Sequence, residues 1–241
     1  MDDDIRIISE APASEDITVF FGFPGSGLVG SIAVQFLVDS LKYKYLGGIT
    51  GRMFPPVAMM VDGVIASPLR IYGKDNCVAV VSEIPIPPED CYDLTQALLD
   101  WFSQYKIKDV TVVAGMVTNS GEKRVFGVGS DDKSIAAIRD LVNVLPMGSI
   151  SGMAGSILLE CRARGIPAIG LLGETVNIPD PRSAVSVLEI VNGTYDFNIP
   201  VDRLLAEAEN IEESMQRIAE QVSGKEEENE APKIEHLPMY G

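Results

Sequence analysis

Short, continuous apolar runs alternate along the chain with longer segments of helical periodicity. The runs lie at 17–23, 77–81, 110–114 and 167–172, and they consist largely of valine, isoleucine, leucine, phenylalanine and alanine. Runs of this length without alternating polar residues predict strands that are buried on both faces of a sheet. Strands of this kind are typical of parallel sheets whose connections are helices. The pattern therefore predicts an α/β fold.

The segments between the runs predict the covering helices. One follows the first apolar run, and a second starts near Glu89 behind a cluster of prolines. A third spans 156–164 and ends at Gly165, and a fourth spans 181–192 and ends at Gly193. The second helix carries its large apolar side chains on one face: Leu94, Leu98, Trp101 and Phe102.

Three regions follow from these patterns. Residues 1–199 are predicted to form a three-layer α/β domain with a mostly parallel sheet flanked by helices. Residues 200–223 are predicted to form a C-terminal helix, because apolar residues recur there at heptad spacing: Leu204, Ala208, Ile211, Met215, Ile218 and Val222. This seam fits a short coiled coil or a terminal helix packed on its own domain. Residues 224–241 are acidic and poor in apolar side chains, which predicts a disordered tail.

Charge and cysteine usage narrow the class of protein. A formal net charge of −16 argues against nucleic acid and anionic membrane as partners. No segment reaches the roughly 18 uninterrupted apolar residues of a membrane span, and the first four residues are acidic where a secretory signal is basic. Cys77, Cys91 and Cys161 lack metal-site spacing and fit small buried residues in a reducing compartment. We therefore expect a cytoplasmic protein.

A glycine-rich turn follows the first predicted strand. Residues 25–30 match G-x-G-x-x-G between a strand and a helix, the context of a dinucleotide fingerprint. Against that interpretation, Pro24 precedes the first glycine, and no acidic residue ends a clear second strand; Asp39 comes too early. The glycines are better explained by a tight turn and close helix–sheet packing, with a nucleotide site as the alternative.

Other candidate ligand groups have simpler structural explanations. Residues 152–155 (GMAG) precede a helix and offer backbone N–H groups to an anion, or form only a turn. Glu174 and Asp180 lie at a strand's carboxyl edge, where α/β proteins bind small molecules. Acidic residues near the proline cluster fit the dipole of a helix N-terminus: Glu83, Glu89, Asp90 and Asp93. Four arginines are possible anion ligands without informative spacing: Arg52, Arg70, Arg124 and Arg182.

The single histidine, His236, lies in the predicted tail. A catalytic Ser–His or Cys–His pair within the domain is therefore not available, and neither is a histidine-based metal site. None of these groups names a reaction, and we expect no catalytic residue, no metal and no cofactor.

The last three residues, Met239-Tyr240-Gly241, carry the most specific chemistry in the chain. They combine an apolar anchor, an aromatic ring and a carboxylate on a predicted disordered tail, where no fold requires a tyrosine. An accidental ending is the competing explanation, because 46% of the residues are apolar and 7 are tyrosines.

The glycine-rich turn and three later segments together carry a family resemblance. Residues 21–30 (FGFPGSGLVG), 115–119 (GMVTN), 152–159 (GMAGSILL) and 167–175 (PAIGLLGET) are similar to the archaeal branch of the proteasome assembly chaperone 2 family. The resemblance covers roughly residues 15–195. It implies an α/β fold like that of purine nucleoside phosphorylases, in a protein that is not an enzyme.

The same resemblance implies a function. Members of this family are homo-oligomeric chaperones or ATP-independent activators. Their HbYX endings, a hydrophobic residue and a tyrosine before the last residue, insert between the α subunits of the 20S proteasome. The ending corresponds here to Met239, Tyr240 and Gly241. The alternative is a nucleoside- or small-molecule-binding protein or enzyme that uses the glycine-rich edge of the same fold. A third interpretation is an oligomeric scaffold with an accidental ending.

Overall fold

The structure is a computed structural model that describes residues 5–61, 63–118, 120–176, 178–206 and 208. Up to residue 200 these residues form the α-helices α1 (Val29–Leu41), α2 (Cys91–Phe102), α3 (Asp132–Ile138), α4 (Gly152–Arg164) and α5 (Pro181–Tyr195). The strands are β1 (Ile5–Ser9), β2 (Asp16–Gly22), β3 (Lys44–Gly51), β4 (Met59–Val61), β5 (Val64–Ala66), β6 (Leu69–Lys74), β7 (Cys77–Ser82), β8 (Lys106–Val117), β9 (Val125–Gly129), β10 (Asn143–Val144) and β11 (Ala168–Thr175).

Nine strands form the central sheet, in the order β1-β3-β6-β7-β2-β8-β11-β9-β10. Its centre is parallel: β7, β2, β8 and β11 run in one direction, with Val19 opposite Val78 and Val110 and with Val112 opposite Gly170. These four strands are the four predicted apolar runs. The three-layer α/β fold with a parallel sheet at its centre is therefore confirmed.

Antiparallel strands extend the sheet on both sides, and the sequence patterns did not predict them. On one side β6 pairs antiparallel with β7, followed by β3 and β1. On the other side β9 pairs antiparallel with β11, and β10 lies parallel to β9. The strands β4 and β5 form a separate two-stranded sheet.

The alternation of side chains along the strands divides the core into two apolar layers. Phe20 points into the layer that contains α1 and α5, where Leu37 and Val187 are fully buried. Phe21, the next residue, points into the opposite layer with Leu98 of α2 and Ile157 of α4. Successive side chains of a strand face opposite sides of a sheet, so a continuous apolar run needs helices on both faces.

The C-terminal end of α4 lies where the sequence predicts it, and that of α5 does not. Gly165 ends α4 in the left-handed conformation, with φ 68°. The predicted end of α5 at Gly193 is wrong, because the helix continues to Tyr195 and ends at Asp196. The ring of Tyr195 lies 5.0 Å from that of Phe20, and its hydroxyl donates to Asp109 at 2.9 Å. These contacts offset the cost of about 1 kcal/mol for a glycine inside a helix.

The α4 helix also begins earlier than predicted. Its first residue is Gly152, so the GMAG segment is the first helical turn and not a loop that precedes the helix. A Cβ at Gly155 would lie 2.1 Å from the carbonyl oxygen of Ile150. The second glycine of this segment is therefore explained by close contact with the chain that enters the helix.

The three cysteines are free. Cys91 and Cys161 are buried and Cys77 is half-buried, and burial raises the pKa of each thiol. The expectation of small buried residues is thus confirmed for Cys91 and Cys161. Within the described part of the chain, no helix combines the length and the apolar content that crossing a bilayer requires.

Helical structure resumes after α5, at residues 201–206 and 208. Leu204 and Ala208, the first two positions of the predicted heptad seam, are buried, and Leu204 belongs to the apolar layer of α1 and α5. At Leu204 the seam packs on its own domain. Its other four positions lie outside the described residues, so the predicted helix 200–223 and tail 224–241 stay predictions.

We predict that Leu204→Ala lowers the free energy of unfolding by about 2–5 kcal/mol, because it leaves a cavity in the core. The half-buried neighbour Leu205 is the control, and Leu205→Ala is expected to cost less. Urea unfolding at an unchanged m-value measures both. Equal, small losses for the two variants would contradict the packing of this segment on the domain.

Candidate functional site

The carboxyl ends of β2, β8 and β11 meet at one edge of the sheet, which we call the carboxyl edge. The glycine-rich turn leaves β2 there, the loop 118–124 leaves β8, and the segment 176–180 leaves β11. This edge is where ligands bind in open α/β sheets. It therefore brings the glycine motif to the same edge as Glu174 and Asp180, which the sequence analysis had treated as a separate candidate site.

The glycines of the motif serve close packing. A Cβ at Gly30 would lie 2.4 Å from the carbonyl oxygen of Val113 on β8, and a Cβ at Gly27 would lie 2.3 Å from the hydroxyl of Thr175 on β11. Gly27 also has a φ of 63°, which favours glycine. Gly25, in contrast, has open space around it. The geometry matches the interpretation of the motif as a turn that lets α1 approach the sheet.

Glu174 is fully buried, and its carboxylate is held by neighbouring donors. Arg124 donates from Nη2 to Oε1 at 2.9 Å, and from Nε and from its backbone N–H to Oε2 at 3.1 Å. The Thr118 hydroxyl donates to Oε1 at 2.6 Å. These donors, Arg124 foremost, lower the pKa of Glu174 to about 2, although burial alone would raise it. The carboxylate fastens the loop 118–124 to β11.

Asp180 makes a second set of hydrogen bonds between chain segments at the same edge. Its carboxylate accepts from Lys123 Nζ at 2.5 Å and from the backbone N–H of Ser183 at 3.0 Å, and its own N–H donates to the carbonyl of Gly27 at 2.9 Å. Burial alone would raise the pKa of Asp180, but the bonds from Lys123 and Ser183 outweigh it and lower the pKa. Asp180 therefore joins α5, the loop and the glycine-rich turn.

A cavity of about 410 Å³ opens at the carboxyl edge beside the glycine-rich turn. Its size falls in the range of sites for small ligands. It lies between that turn, the end of β8 and the start of α4, and none of its lining residues is charged: Phe23, Pro24, Gly25, Ser26, Val112, Val113, Ala114, Gly115, Met116, Val117, Leu145, Ser149, Ile150, Ser151, Gly152, Met153, Ala154 and Leu172.

The other charged candidates lie outside this cavity. Arg70 is buried in β6, with a side chain 4% exposed, and it pairs with Glu83 just beyond β7. This ion pair joins two adjacent strands and explains both residues. Acidic residues precede or begin α2, where they suit the dipole of that helix: Glu89, Asp90 and Asp93. Arg52 is exposed, and Arg182 lies half-buried in the first turn of α5.

Sequence reasoning missed two of the side chains that donate hydrogen bonds to the acids of the edge. Lys123 and Thr118 hold Asp180 and Glu174, yet they lie 57 and 56 residues away from them along the chain. The available signal was the adjacent pair Lys123-Arg124, a local basic pair in an acidic chain. The predicted binding residues Met239, Tyr240 and Gly241 lie outside the described residues, as does His236.

Comparison with known proteins identifies one matching family and proteins that are similar over most of their length. The model of the PAC2 family matches residues 19–219. A crystal structure of Pyrococcus furiosus PbaA, an archaeal homologue of proteasome-assembly chaperone, aligns with a TM-score of 0.83 at 31% identity, over 93% of this chain and 95% of PbaA. An uncharacterised protein of Methanocaldococcus jannaschii, MJ0106, is 33% identical over 92% of this chain and 93% of its own length.

A further structural relative shows the fold alone. PbaB of Pyrococcus furiosus, described as an archaeal proteasome activator, aligns with a TM-score of 0.79 over 90% of this chain and 99% of PbaB. At 24% identity this likeness supports the architecture of the sheet and helices. It says nothing by itself about partners.

Two glycines of one motif give a matched test of its role. We predict that Gly30→Ala destabilises the protein by about 1–3 kcal/mol, because the added Cβ meets the Val113 carbonyl and the backbone must move. Gly25→Ala has open space and an extended backbone, so its stability should match the wild type. Chemical denaturation measures both. Equal stability of the two variants would contradict the packing role of Gly30.

The Glu174 carboxylate predicts a pH dependence of stability. Its pKa is lowered from 4.5 to about 2, so its ionised form stabilises the fold fully above about pH 4.5, and this contribution is lost as the pH falls through about 2. Glu174→Gln is expected to cost about 1.5–3 kcal/mol at neutral pH, the usual value of hydrogen bonds to a charged group. The difference from the wild type should shrink between pH 4.5 and 2.

Thermal unfolding across this pH range measures the effect. Glu122→Gln is the control, because the Glu122 side chain also approaches Arg124, at 3.3 Å, but is 68% exposed. That variant should follow the wild type at every pH, since exposed pairs contribute little. A Glu174→Gln deficit that stays constant down to pH 2 would refute the role of the ionised carboxylate.

Proposed function

The chain belongs to the PAC2 family, and we propose that it acts on the 20S proteasome as an assembly chaperone or ATP-independent activator that binds the α-ring. The observation that carries this proposal is the similarity to PbaA, a homologue of proteasome-assembly chaperone, at 31% identity over 93% of the chain. Similarity over most of the chain supports a shared kind of partner.

We assign the contact with the α-ring to Met239, Tyr240 and Gly241. A carboxylate after Tyr240 would form a charge-assisted bond with a lysine in a partly buried pocket. The tyrosine ring would bury apolar surface and keep its hydroxyl bonded at the rim of the pocket. Tyrosine is also among the residues that most often dominate binding energy in interfaces.

A single tail of this kind binds weakly, because ordering a free peptide costs much of the interaction energy. We therefore propose that the protein works as a homo-oligomer that presents several tails to the α-ring at once. The predicted tether of about 14 residues before Met239 would span roughly 20 Å as a flexible chain. Tails on one oligomer then bind with avidity, provided that the tethers reach neighbouring pockets.

The chemistry of the carboxyl edge supports a binding protein over an enzyme. Glu174, with a pKa of about 2, is a poor base at neutral pH, and Arg124 and Thr118 occupy its oxygens. Asp180 is engaged by Lys123 and by a helix N-terminus. General acid–base catalysis needs a group whose pKa lies near the working pH, and neither carboxylate meets that requirement.

We predict that Tyr240→Ala in the full chain weakens binding to archaeal 20S core particle by at least about tenfold, the loss expected for an aromatic anchor. Tyr240→Phe keeps the ring and is the matched control, with binding close to the wild type. Co-migration and surface-immobilised binding measure affinity. An alanine added after Gly241 should also weaken binding, because it displaces the carboxylate.

Peptide hydrolysis by the same mixtures separates the two roles. Faster hydrolysis with the wild type and not with Tyr240→Ala identifies an activator, whereas binding without faster hydrolysis identifies an assembly or capping factor. Undiminished binding of Tyr240→Ala and of a variant that lacks residues 239–241 would refute the assignment of the contact.

A further inference from the structure

The cavity of the carboxyl edge lies where two connections of the chain reach opposite faces of the sheet. The strands β2 and β8 are parallel neighbours. The chain after β2 leads to α1 in one apolar layer, whereas the chain after β8 leads by way of β9 and α3 to α4 in the other layer. Ligands of open α/β sheets bind in the crevice that such connections leave outside the carboxyl ends of the strands. The position of the cavity is therefore that of a binding site.

Gly25 lines this cavity, and the packing that explains its neighbours does not explain it. A Cβ at Gly27 or Gly30 would lie 2.3 Å or 2.4 Å from another atom, but a Cβ at Gly25 would have no described atom within 4 Å. Its φ of −165° is extended backbone that any residue adopts. Neither the backbone nor a described neighbour requires a glycine here. Close approach of a ligand to the backbone gives a structural reason for a residue without a side chain.

Apolar side chains form much of the cavity wall. Phe23 and Met153 line it and are nearly buried, with 7% and 5% of each residue exposed. An aromatic ring packs well on another ring, and a thioether also makes favourable contacts with aromatic rings. These walls therefore suit a ligand with a flat ring.

Uncharged hydrogen-bonding groups line the same cavity. Ser26, Ser149 and Ser151 carry hydroxyl groups, which can both donate and accept. The side chain of Ser151 makes no capping bond to α4, and the N–H groups of the first helical turn have no partner within the helix. Gly152 and Met153, the first residues of that turn, line the cavity. A ligand with polar atoms along one edge would satisfy these groups.

The charge of the lining selects among such ligands. No described residue that lines the cavity is charged. The basic side chains of the same edge already have partners, since Lys123 binds Asp180 and Arg124 binds Glu174. Removing a charged group from water without a charged partner costs far more than removing a neutral polar group, and a helix end offers only a partial charge. A neutral ligand therefore fits the cavity better than an anion.

We propose that this cavity binds a neutral, flat ring compound that carries polar atoms on one edge, such as a heterocyclic amide or base. The ring would contact Phe23 and Met153, and the polar edge would bond to serine hydroxyls and to the first N–H groups of α4. The cavity volume of about 410 Å³ suits a small molecule of this class. This binding goes beyond the proposed function and needs neither the tail nor the proteasome, so each proposal can fail without the other.

Matched pairs of probes test the charge preference on the full chain. The pairs are nicotinamide and nicotinate, indole-3-carboxamide and indole-3-carboxylate, and adenosine and AMP; within each pair the ring is shared and the charge differs. We expect at least one neutral probe to bind with a Kd of about 1 mM or lower, as small ligands of good fit do. Its anionic counterpart should bind at least about tenfold more weakly. Ligand-observed NMR measures the affinities.

Methyl-labelled methionine locates the binding site in the wild-type protein. Met116 and Met153 line the cavity, whereas Met60 lies on β4. On titration with the neutral probe, the methyl signals of Met116 and Met153 should shift with one Kd, and that of Met60 should stay unchanged. Methionine-to-leucine variants, which nearly conserve volume, assign the signals.

Two variants that fill the cavity provide an independent readout. Ser151→Trp places a large ring at an exposed position of the lining, and Gly25→Leu extends a side chain into open space. Each should weaken binding of the neutral probe at least about tenfold. Leu159→Trp is the matched control, because Leu159 also belongs to α4, is 70% exposed and lies outside the lining. Circular dichroism and thermal melting verify that each variant is folded.

Any of four results would overturn the proposal: no binding of any neutral probe, binding of the anions as tight as that of their neutral partners, unshifted signals of Met116 and Met153, or unchanged affinity in the folded Ser151→Trp and Gly25→Leu variants. Tighter binding of the anions, lost in Ser151→Trp, would instead assign the start of α4 to an anionic ligand.

Discussion

The approach of the glycine-rich turn and α1 to the middle of the sheet is the constraint on which the rest of the structure depends. A Cβ at Gly30 would strike the carbonyl of Val113, and a Cβ at Gly115 would lie 1.9 Å from the carbonyl of Ser26. Backbone therefore meets backbone where β2 and β8 end. This contact sets the height of α1 above the sheet, the floor of the cavity, and the position of Gly27, whose carbonyl binds the N–H of Asp180. Every feature of the carboxyl edge is built around it.

The sequence predicted the parts of the fold whose signals are local. Each of the four parallel strands contains a continuous apolar run because helices cover both faces of the sheet there, and such a run in the sequence indicates that burial directly. The antiparallel strands contain no such continuous apolar run. β3 and β9 are interrupted by glycines, and β6 contains Arg70, a charged residue in a buried strand that becomes acceptable only through Glu83. Their pairing is decided by partners distant in the chain, so periodicity alone did not reveal them.

The same distinction separates what was predictable at the carboxyl edge from what was not. Glu174 and Asp180 were placed correctly at the end of a strand, but their role depends on Arg124 and Lys123, which approach from a loop across the sheet. An acid that looks like a ligand in the sequence is here half of a structural ion pair. The glycines show the converse: their spacing matched a nucleotide motif, and their contacts are those of packing. The spacing of the glycines indicated a turn. The atoms around each glycine in the structure show that the turn serves close packing.

In the proposed function, the tail and the body contribute different parts of the binding to the proteasome. Three residues bury too little surface to hold a large partner alone, because a free peptide loses entropy each time it is ordered. Linking several such tails replaces most of that loss with an effective concentration set by the tether. In the proposed homo-oligomer, the contact between subunits would therefore contribute to the affinity for the proteasome alongside the tyrosine of each tail. In such a design the domain needs no catalytic group and no ligand charge. What the domain supplies is a closely packed body, in which the glycines let α1 and the glycine-rich turn approach the sheet.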